Sequence, residues 1–484
     1  MKIQLQPVMA LISYTEQYTV TVVAIYAQKY KHFIFKKKTK MNKQEDLRKI
    51  KPLEKVFLFL DISVIYAIFF IVNIFLSDID MVLDVVFGLS FKKGSKKERW
   101  NAKQGGRTAQ VVRAWQVFTF DIFSKVYLSN FFYTHDKYVS PDIVLHDPKA
   151  LLFAYTEEYV LFTYNETDLL DVNTYPFLFV FQVLKAKRLI VVQTNEAMRL
   201  AHQVGKPKVP VSIILMPGRS GSTLLCQMLQ KVPGTRVIAE PISFVYARSL
   251  YNKGQLNLAG FKHSVGFMYK LLCKVEPNSD VKRIIIKTMP AWAQEVMIIK
   301  ENFPECRLIY SARGLKEALA SQQRNISGLF KLSAYNRWNF GFKDHFDSTQ
   351  FRFDDNNAQK DHVYKNLKLR NSLSLELNAL SQGLTLQIYL RNKDKFEMVV
   401  FYEDLISNPI KITRTLFEKL QVPLDFVDEA LMAMKTDSQR GFLPKPSHEH
   451  DTPLDFSTAD YVFTLLDLNL THKISLEDFK KLFN

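Results

Sequence analysis

From residue 208 onward, short apolar runs are separated by stretches long enough to form helices. This pattern is typical of a mostly parallel sheet with helices on both faces. We therefore predict an α/β domain over residues 208–450, and we expect its ligands to bind beyond the carboxyl ends of the strands. The five predicted strands are 211–216, 235–238, 283–287, 307–310 and 396–401.

The segment before this domain carries a weaker pattern. Residues 77–207 are predicted as a small α+β extension in which we find no candidate chemistry, and residues 205–210 form the linker that leaves it. The predicted elements of the extension are strands at 150–155, 158–164 and 188–192 and a helix over 196–204 that is capped by Thr194 or Asn195.

One apolar run is long enough to cross a membrane. Residues 56–76 contain few polar side chains, with Asp61 the only charged one, and would span about 31 Å as a helix. The basic segment 1–55 precedes this run and aspartates follow it, so the positive-inside rule predicts a signal anchor with a cytosolic N-terminus. Asp61 and a second apolar patch over 81–91 leave a soluble hairpin or a monotopic patch as the alternative.

The first strand of the α/β domain leads into the segment with the clearest candidate chemistry. The helix that follows is predicted to begin near Ser222 and to end near Lys231. The turn between them contains Gly218 and Gly221, which permit positive φ and a close approach by a ligand. Such a turn forms an anion cradle, because its N–H groups and the helix dipole point at one spot. Arg219 adds a bidentate group, and hydroxyl donors come from Ser220, Ser222 and Thr223.

This turn differs from the phosphate loop of ATPases. The Walker pattern requires G-x-x-x-x-G-K-[ST], and alignment on Gly221 places Ser222 at the lysine position and Met216 at the first glycine position. Without the lysine, no local side chain binds the β- and γ-phosphates, so hydrolysis of a nucleoside triphosphate is disfavoured. An ordinary Gly-rich turn would explain the glycines but not the arginine and the hydroxyls around them.

The sequence Gly218-Arg-Ser-Gly-Ser-Thr-Leu-Leu225 resembles the loop with which sulfotransferases bind the 5′-phosphosulfate of PAPS (3′-phosphoadenosine 5′-phosphosulfate). Arg219 in place of lysine is the form found in Golgi carbohydrate sulfotransferases and in bacterial trehalose-type enzymes. The resemblance implies that PAPS is the donor, that PAP is the product and that no metal takes part. It also implies that residues 218–223 bind the donor, and that Arg219 takes part in catalysis by stabilising the leaving phosphate together with Thr223 and the loop amides.

A second segment resembles the same family. Residues 307–321 are predicted as strand, turn and helix, and Arg313 and Ser321 are spaced like the arginine and serine that bind the 3′-phosphate in the family. Because eight helical residues span about 12 Å, the turn must fold Arg313 back toward Ser321. Arg440, followed by Gly441, resembles the family's late Arg-Gly segment over the adenine and the 3′-phosphate.

Two further strands resemble those of the family at their carboxyl ends. Residues 398–409 match its strand ending in Tyr-Glu-Asp-Leu, followed by a helix with a proline in its first turn, and this feature is largely structural. Residues 283–290 match the strand ending in Lys-Thr, which implies that Lys287 approaches the transferred sulfuryl group. Cytosolic sulfotransferases have their catalytic histidine one residue after that threonine, where this chain has Met289.

The general base must therefore come from elsewhere, and we predict Glu240. It precedes Pro241 and follows the second predicted strand, so it should lie at the sheet edge that carries the loop. Trehalose-type and tyrosylprotein sulfotransferases use a glutamate in a comparable segment, and carbohydrate sulfotransferases often have Glu-Pro there. A structural or acceptor-binding role for Glu240, and His263 as the base, are the alternatives.

Composition narrows the possible partners. Of the 484 residues, 47% are apolar, so the chain can fill a core, and its net charge of +17 favours an anionic partner. Basic residues are spread along the chain and we find no nucleic-acid-binding motif, so we expect no nucleic acid as partner. The three cysteines have neither the pattern of a disulfide framework nor the spacing of zinc ligands.

The C-terminal segment 451–484 is predicted as a helical tail. Residues 467–479 have EF-hand spacing, but His472 replaces the essential glycine and Asp478 replaces the bidentate glutamate. A helix–turn–helix in which Ser475 caps the second helix is therefore favoured over calcium binding.

Two stretches late in the α/β domain carry weaker predictions. Residues 327–365 are polar and contain many aromatic side chains, which fits an acceptor-binding lid or a plain surface loop. Residues 372–393 are predicted as a long amphipathic helix.

These features together predict a membrane-anchored enzyme that transfers a sulfuryl group from PAPS to a hydroxyl or amine of a carbohydrate or another small acceptor. The predicted location is the Golgi membrane, with a single type II span, and the cytoplasm is the alternative. The sequons at Asn165 and Asn469 would then face the lumen. The alternative function is a pseudoenzyme, a membrane scaffold that binds PAP or PAPS without transfer, and Met289 is the feature that favours it.

Overall fold

The computed structural model describes residues 76–85, 89–117, 125–289, 292–325, 373–436, 438, 456–468 and 470–483. The predicted membrane anchor at 56–76 lies outside these residues except for Leu76, and the predicted acceptor lid over 327–365 lies outside them entirely. Within the described ranges, no helix combines the length and the apolar character that crossing a membrane requires.

The accessory extension contains a five-stranded antiparallel sheet in the order β2-β1-β5-β4-β3. Strands β3, β4 and β5 lie where the sequence predicts strands. The first two strands were not predicted, because register shifts interrupt their pairing and with it the regular alternation of apolar and polar side chains. The strands are β1 Ala109–Val117, β2 Phe131–Val139, β3 Ala150–Tyr155, β4 Tyr159–Tyr164 and β5 Arg188–Gln193.

The second domain contains a five-stranded sheet in the order β10-β9-β6-β8-β7, in which every neighbouring pair is parallel. This confirms the predicted α/β class and its parallel sheet. The strands are β6 Val211–Leu215, β7 Thr235–Ala239, β8 Arg283–Lys287, β9 Arg307–Ala312 and β10 Phe396–Phe401.

Helices surround both sheets. The N-cap of one of them, α4 (Thr194–Val204), differs from the prediction. Its N-cap is Gln193 without a side-chain cap, so the predicted cap at Thr194 or Asn195 is wrong; the Thr194 hydroxyl instead donates to Thr156 O (2.9 Å). The helices are α1 Lys96–Gln104, α2 Ile143–His146, α3 Leu178–Lys185, α4 Thr194–Val204, α5 Ser222–Gln230, α6 Ser243–Asn252, α7 Leu258–Leu272, α8 Ala293–Asn302, α9 Leu315–Asn325, α10 Leu373–Arg391, α11 Tyr402–Ser407, α12 Pro409–Leu420, α13 Val427–Leu431, α14 Ser457–Leu465 and α15 Leu476–Lys481.

Apolar side chains cover the parallel sheet on both faces. Ile213 on β6 and Ile286 on β8 belong to a core that also includes the accessory sheet. Ile214 and Ile285, one position away on the same strands, belong to a second core beneath α5 and α12. Successive side chains of a strand point to opposite faces, so a sheet that is buried on both sides requires continuous apolar strands.

Buried polar contacts also join the accessory sheet to the second domain. The Tyr246 hydroxyl on α6 accepts a hydrogen bond from Val126 N (2.9 Å) and donates one to Val126 O (2.7 Å). The Lys274 ammonium donates to Val144 O (2.5 Å) and Asp147 O (2.9 Å), and burial lowers the pKa of this lysine to about 8. The two sheets therefore share one continuous interior.

Helix α10 is enclosed, and not amphipathic, over its middle. All residues from 379 to 386 are buried. The β6–α5 loop, residues 216–221, lies on one side, where Gln382 Nε2 donates to Gly218 O (3.1 Å). The tail lies on the other side, where a Cβ on Gly383 would collide with Leu466 Cδ1. The predicted amphipathic pattern is wrong here, because the tail covers the face that would otherwise meet water.

The tail also completes an aromatic cluster beside β9. The rings of Tyr310 on β9 and Tyr389 on α10 have centroids 4.6 Å apart, and Phe483 lies 5.6 Å from the first and 5.0 Å from the second. Phe479 on α15 packs edge-on against Phe483 at 5.3 Å. The tail is therefore part of the interior of the second domain.

Polar contacts hold the turn between the two tail helices. As predicted, Ser475 caps α15, because its hydroxyl accepts a hydrogen bond from Asp478 N (3.0 Å). The Asp478 carboxylate pairs with Lys481 (2.7 Å), and Asp460 pairs with the ring of His472 (2.6 Å). In the described part of the chain, no three His, Cys, Asp or Glu side chains are grouped so that they could hold a metal ion.

One of the two predicted glycan sites conflicts with the fold. Asn165 follows β4 and is only 6% exposed, so its amide has no room for a glycan in the folded protein. Asn469 lies outside the described residues.

Candidate anion-binding and catalytic site

The β6–α5 loop has the backbone of an anion cradle. Gly218, Arg219 and Gly221 have φ values of 95°, 57° and 81°, all in the left-handed region. Gly221 forms the N-cap of α5, and a Cβ at this position would collide with the ring of Tyr402. A glycine is thus required there both for its φ and for the close approach of Tyr402. Backbone N–H groups of a turn that contains left-handed residues can converge on a concave surface that favours anions.

Three of the predicted donor-binding residues meet at this loop. Arg219 Nε donates to the Ser321 hydroxyl on α9 (3.0 Å), and Arg313 Nη1 donates to Arg219 O (3.4 Å). Arg313 follows β9 directly, and its guanidinium lies over the Tyr402 ring at 4.6 Å. The turn after β9 therefore brings Arg313 and Ser321 to the same residue of the loop, although eight positions separate them in the sequence.

The hydroxyl residues of the loop are buried. Ser220 O accepts a hydrogen bond from the Ser311 hydroxyl on β9 (3.0 Å), which fixes the loop against the neighbouring strand. Among the described residues, neither the Ser220 hydroxyl nor Arg313 Nε has a hydrogen-bond partner. Ser222 and Thr223 open α5 and are likewise buried. Two orphaned donors beside a left-handed loop are the groups that a bound oxyanion would satisfy.

The ammonium of Lys287 lies at the centre of a second cluster. This side chain is 1% exposed, and its Nζ lies 2.9 Å from Thr223 Oγ1 and 2.5 Å from Glu240 Oε1. The ring of Phe177, which belongs to the accessory extension, lies 5.0 Å from the same nitrogen. The predicted catalytic residues Glu240 and Lys287 are thus in direct contact, and both are joined to the start of α5.

The backbone of Glu240 is strained. Its φ is 58°, which is uncommon for any residue with a Cβ, and Pro241 disfavours compact conformations of the residue before it. The N–H of Glu240 donates to Lys287 O (2.8 Å), which continues the pairing of β7 with β8 for one more residue. Strain of this kind persists only where the surrounding structure imposes it, and it is frequent at functional sites.

A further layer of contacts supports the loop from behind. The Ser381 hydroxyl on α10 donates to Pro217 O (3.4 Å), and Glu403 Oε1 accepts from Gly314 N (3.0 Å), which holds the turn that carries Arg313. Burial raises the pKa of the Cys226 thiol on α5 to about 12, so this cysteine is an inert packing residue.

Sequence reasoning missed some of these groups. Tyr402 and Glu403 were found only as part of a structural motif. For Ser381, Gln382 and Phe177 the sequence holds no signal, because their roles depend on which chain segments meet in space.

One other predicted residue, His263, lies apart from these clusters. His263 is on the exposed side of α7, tilted against Phe267 at a ring distance of 6.3 Å. Arg440 lies outside the described residues. Met289, two positions beyond β8, is 8% exposed and belongs to the apolar core, so it supplies no proton-transfer group.

No family model matches the chain, and no curated protein matches it significantly. Several solved structures are similar to it. The sulfotransferase domain of the Synechococcus PCC 7002 olefin synthase is 17% identical, with a TM-score of 0.30, over 57% of this chain and 94% of that domain. The sulfotransferase STF9 from Mycobacterium avium is 14% identical, with a TM-score of 0.32, over 57% of this chain and 82% of its own.

A third similar structure is a sulfotransferase from Alicyclobacillus acidocaldarius, 14% identical with a TM-score of 0.28, over 54% of this chain and 97% of its own. All three TM-scores lie below 0.5.

We expect the strain at Glu240 to be measurable with two substitutions. Glu240→Gly and Glu240→Ala both remove the carboxylate and its contact with Lys287, but only glycine adopts the left-handed backbone without strain. In urea unfolding, the glycine variant should be about 1 kcal/mol more stable than the alanine variant. The same pair at Lys262, an exposed position on α7, should show the opposite order, because glycine weakens a helix. Equal stability of the two Glu240 variants would contradict the strain.

Proposed function

We propose that this chain is a sulfotransferase that transfers the sulfuryl group of PAPS to a hydroxyl or amine of a carbohydrate or another small acceptor. The observation that carries the proposal is the convergence of Arg219, Arg313 and Ser321 at a left-handed loop beyond the parallel strands. A nucleotide with phosphate groups on both its 3′- and 5′-oxygens needs two neighbouring anion sites. The loop amides fit the 5′-phosphosulfate, and Arg313 with Ser321 fits the 3′-phosphate.

The orphaned donors of the loop fit this donor molecule. Phosphate oxygens would satisfy the buried Ser220 hydroxyl and Arg313 Nε, which lack partners among the described residues. Arg219 and Arg313 add two cationic side chains, as a doubly phosphorylated nucleotide requires. Ser222, at the position that a lysine occupies in ATPases, disfavours nucleoside triphosphate hydrolysis as the function.

The reaction requires a leaving group, an acceptor and a base. In an in-line transfer the acceptor oxygen bonds to sulfur while the bond from sulfur to the 5′-phosphate oxygen breaks, and PAP leaves with the electron pair. Lys287, Thr223 and the loop N–H groups would stabilise the negative charge that develops on that oxygen. Glu240 would take the acceptor proton, and its contact with Lys287 (2.5 Å) holds the carboxylate beside the site of charge development.

The alternative is a pseudoenzyme that binds PAP or PAPS without transfer. It is favoured by Met289, which stands where cytosolic sulfotransferases have their catalytic histidine. The presence of both Glu240 and Lys287 beside the loop favours the enzyme. A screen for transfer of labelled sulfate from PAPS to carbohydrate acceptors separates the two, because the pseudoenzyme would bind PAP and release no labelled product.

We further propose that residues 56–76 anchor the protein in the Golgi membrane with the second domain in the lumen. This proposal rests on the apolar run and on the charges that flank it. In cells, the protein should remain in the membrane pellet after carbonate extraction, and deletion of 56–76 should release it. Release of the full chain by carbonate alone would exclude the anchor and favour the cytoplasmic alternative.

We expect Arg313→Ala to reduce PAP affinity selectively. Loss of a charged hydrogen-bond donor to the 3′-phosphate should weaken PAP by about 2–4 kcal/mol in calorimetric titration. Affinity for a nucleotide that lacks the 3′-phosphate should change little. Arg307→Ala, at the opposite end of β9, is the matched control and should leave both affinities unchanged. An equal loss for both nucleotides would remove Arg313 from the 3′-phosphate site.

We expect Glu240→Gln to lower kcat by on the order of 10²–10⁴ while PAP affinity stays nearly unchanged, because the shape is kept and the base is lost. Steady-state transfer rates and a PAP titration measure the two effects separately. His263→Ala is the control and should keep its turnover. Full turnover in Glu240→Gln with loss in His263→Ala would make histidine the base and glutamate a structural residue.

A further inference from the structure

The accessory extension contacts the candidate catalytic cluster through the side chain of Phe177. Phe177 lies immediately before α3, more than thirty residues ahead of the loop in the sequence, and its ring is 5.0 Å from Lys287 Nζ. The ring is half-buried, whereas the ammonium it faces is almost wholly enclosed. No motif in the sequence marks this phenylalanine.

The segment that carries Phe177 is fastened to the helix that opens at the loop. Gln230 at the end of α5 accepts hydrogen bonds at Oε1 from Val172 N (2.9 Å) and Asn173 Nδ2 (3.0 Å). The Nε2 of the same side chain donates to Leu170 O (2.8 Å). After Phe177, helix α3 is buried in the core of the accessory sheet. The position of the ring is therefore set on one side by α5 and on the other by the accessory sheet.

The three contacts of Lys287 have different chemical consequences. Thr223 lies on the loop side, where the leaving phosphate would sit, and Glu240 is the proposed base. The Phe177 ring attracts an ammonium through its quadrupole without forming a directional hydrogen bond. It can therefore hold the charge near the cluster while leaving the N–H groups of Lys287 available to oxygen atoms.

We propose that Phe177 is a positioning residue of the transfer reaction, which holds the Lys287 ammonium between Thr223 and Glu240. The inference rests on the proposed sulfotransferase function and deepens it. In this role the accessory extension belongs to the active site, because it supplies one of the groups that contact the Lys287 ammonium.

The test uses the full chain and four variants of one position. Phe177→Tyr and Phe177→Trp keep an aromatic face, whereas Phe177→Leu and Phe177→Met keep apolar bulk and lose that face. With Lys287 less well held, PAP affinity measured by calorimetry should fall about tenfold in the leucine and methionine variants. It should stay within about twofold of the wild type in the tyrosine and tryptophan variants. Phe181→Leu is the matched control, because it also removes a ring, from helix α3. The ring of Phe181 packs against that of Tyr175, with centroids 4.8 Å apart.

A double-mutant cycle separates positioning from general packing. Lys287→Met should itself weaken PAP, and adding Phe177→Leu should cause no further loss, because the ring then has no ammonium to hold. If Phe177 were purely structural, replacing it would lower PAP affinity equally in both backgrounds. The loss of affinity across the four variants would then follow side-chain volume more than aromatic character.

The outcomes distinguish this inference from the function on which it rests. A wild-type chain that binds no PAP overturns the proposed function and, with it, this role of Phe177. A chain that binds PAP with the same affinity after Phe177→Leu, or whose two losses add in the double mutant, overturns the role of Phe177 alone. Aromatic rescue together with a non-additive cycle supports it.

Discussion

The enclosed ammonium of Lys287 is the constraint on which the arrangement of this protein depends. A charge taken out of water is costly unless partners surround it, and this one is 1% exposed. Its partners come from the first turn of α5, from the residue after β7 and from the accessory extension. The first turn of α5, the end of β7 and residue 177 must therefore meet at one place, and the parallel sheet helps because the carboxyl ends of its strands share one edge.

The charges at this edge are arranged for an anion. The guanidinium of Arg313 donates to the backbone carbonyl of Arg219, and two positively charged residues at one loop raise the local potential for an anion. The ring of Tyr402 lies against the guanidinium of Arg313, and the hydroxyl of Ser321 accepts a hydrogen bond from Arg219, so both side chains are held at the loop. Glu240 is paired with Lys287 in the second cluster, and in the proposed reaction it would take the proton of the acceptor. Under the proposed function, the arginines would bind the donor and the carboxylate would serve the acceptor.

A structural feature could be predicted from the sequence where a short stretch of residues determines it, and not where it depends on a contact between distant segments. The five parallel strands are short and mostly apolar, and the start of α5 is marked by Gly221 and the hydroxyls after it, so both could be predicted. Strands β1 and β2 could not, because register shifts break their alternation. The enclosure of α10 was missed because its partner, Leu466, is some eighty residues away. The same limit applies to Phe177, whose proposed role depends on a contact between the accessory extension and Lys287 on β8.

The aromatic cluster beside β9 has a consequence for how the chain is made. Tyr310 and Tyr389 are covered by Phe483, from a segment that the ribosome synthesises well after the strand and the helix it protects. Until that segment emerges, the nascent domain exposes an aromatic surface of the kind that chaperones bind and that promotes aggregation. Folding of the second domain is therefore completed only after translation of the tail. A message truncated before residue 457 would yield a product whose aromatic surface stays exposed and promotes aggregation.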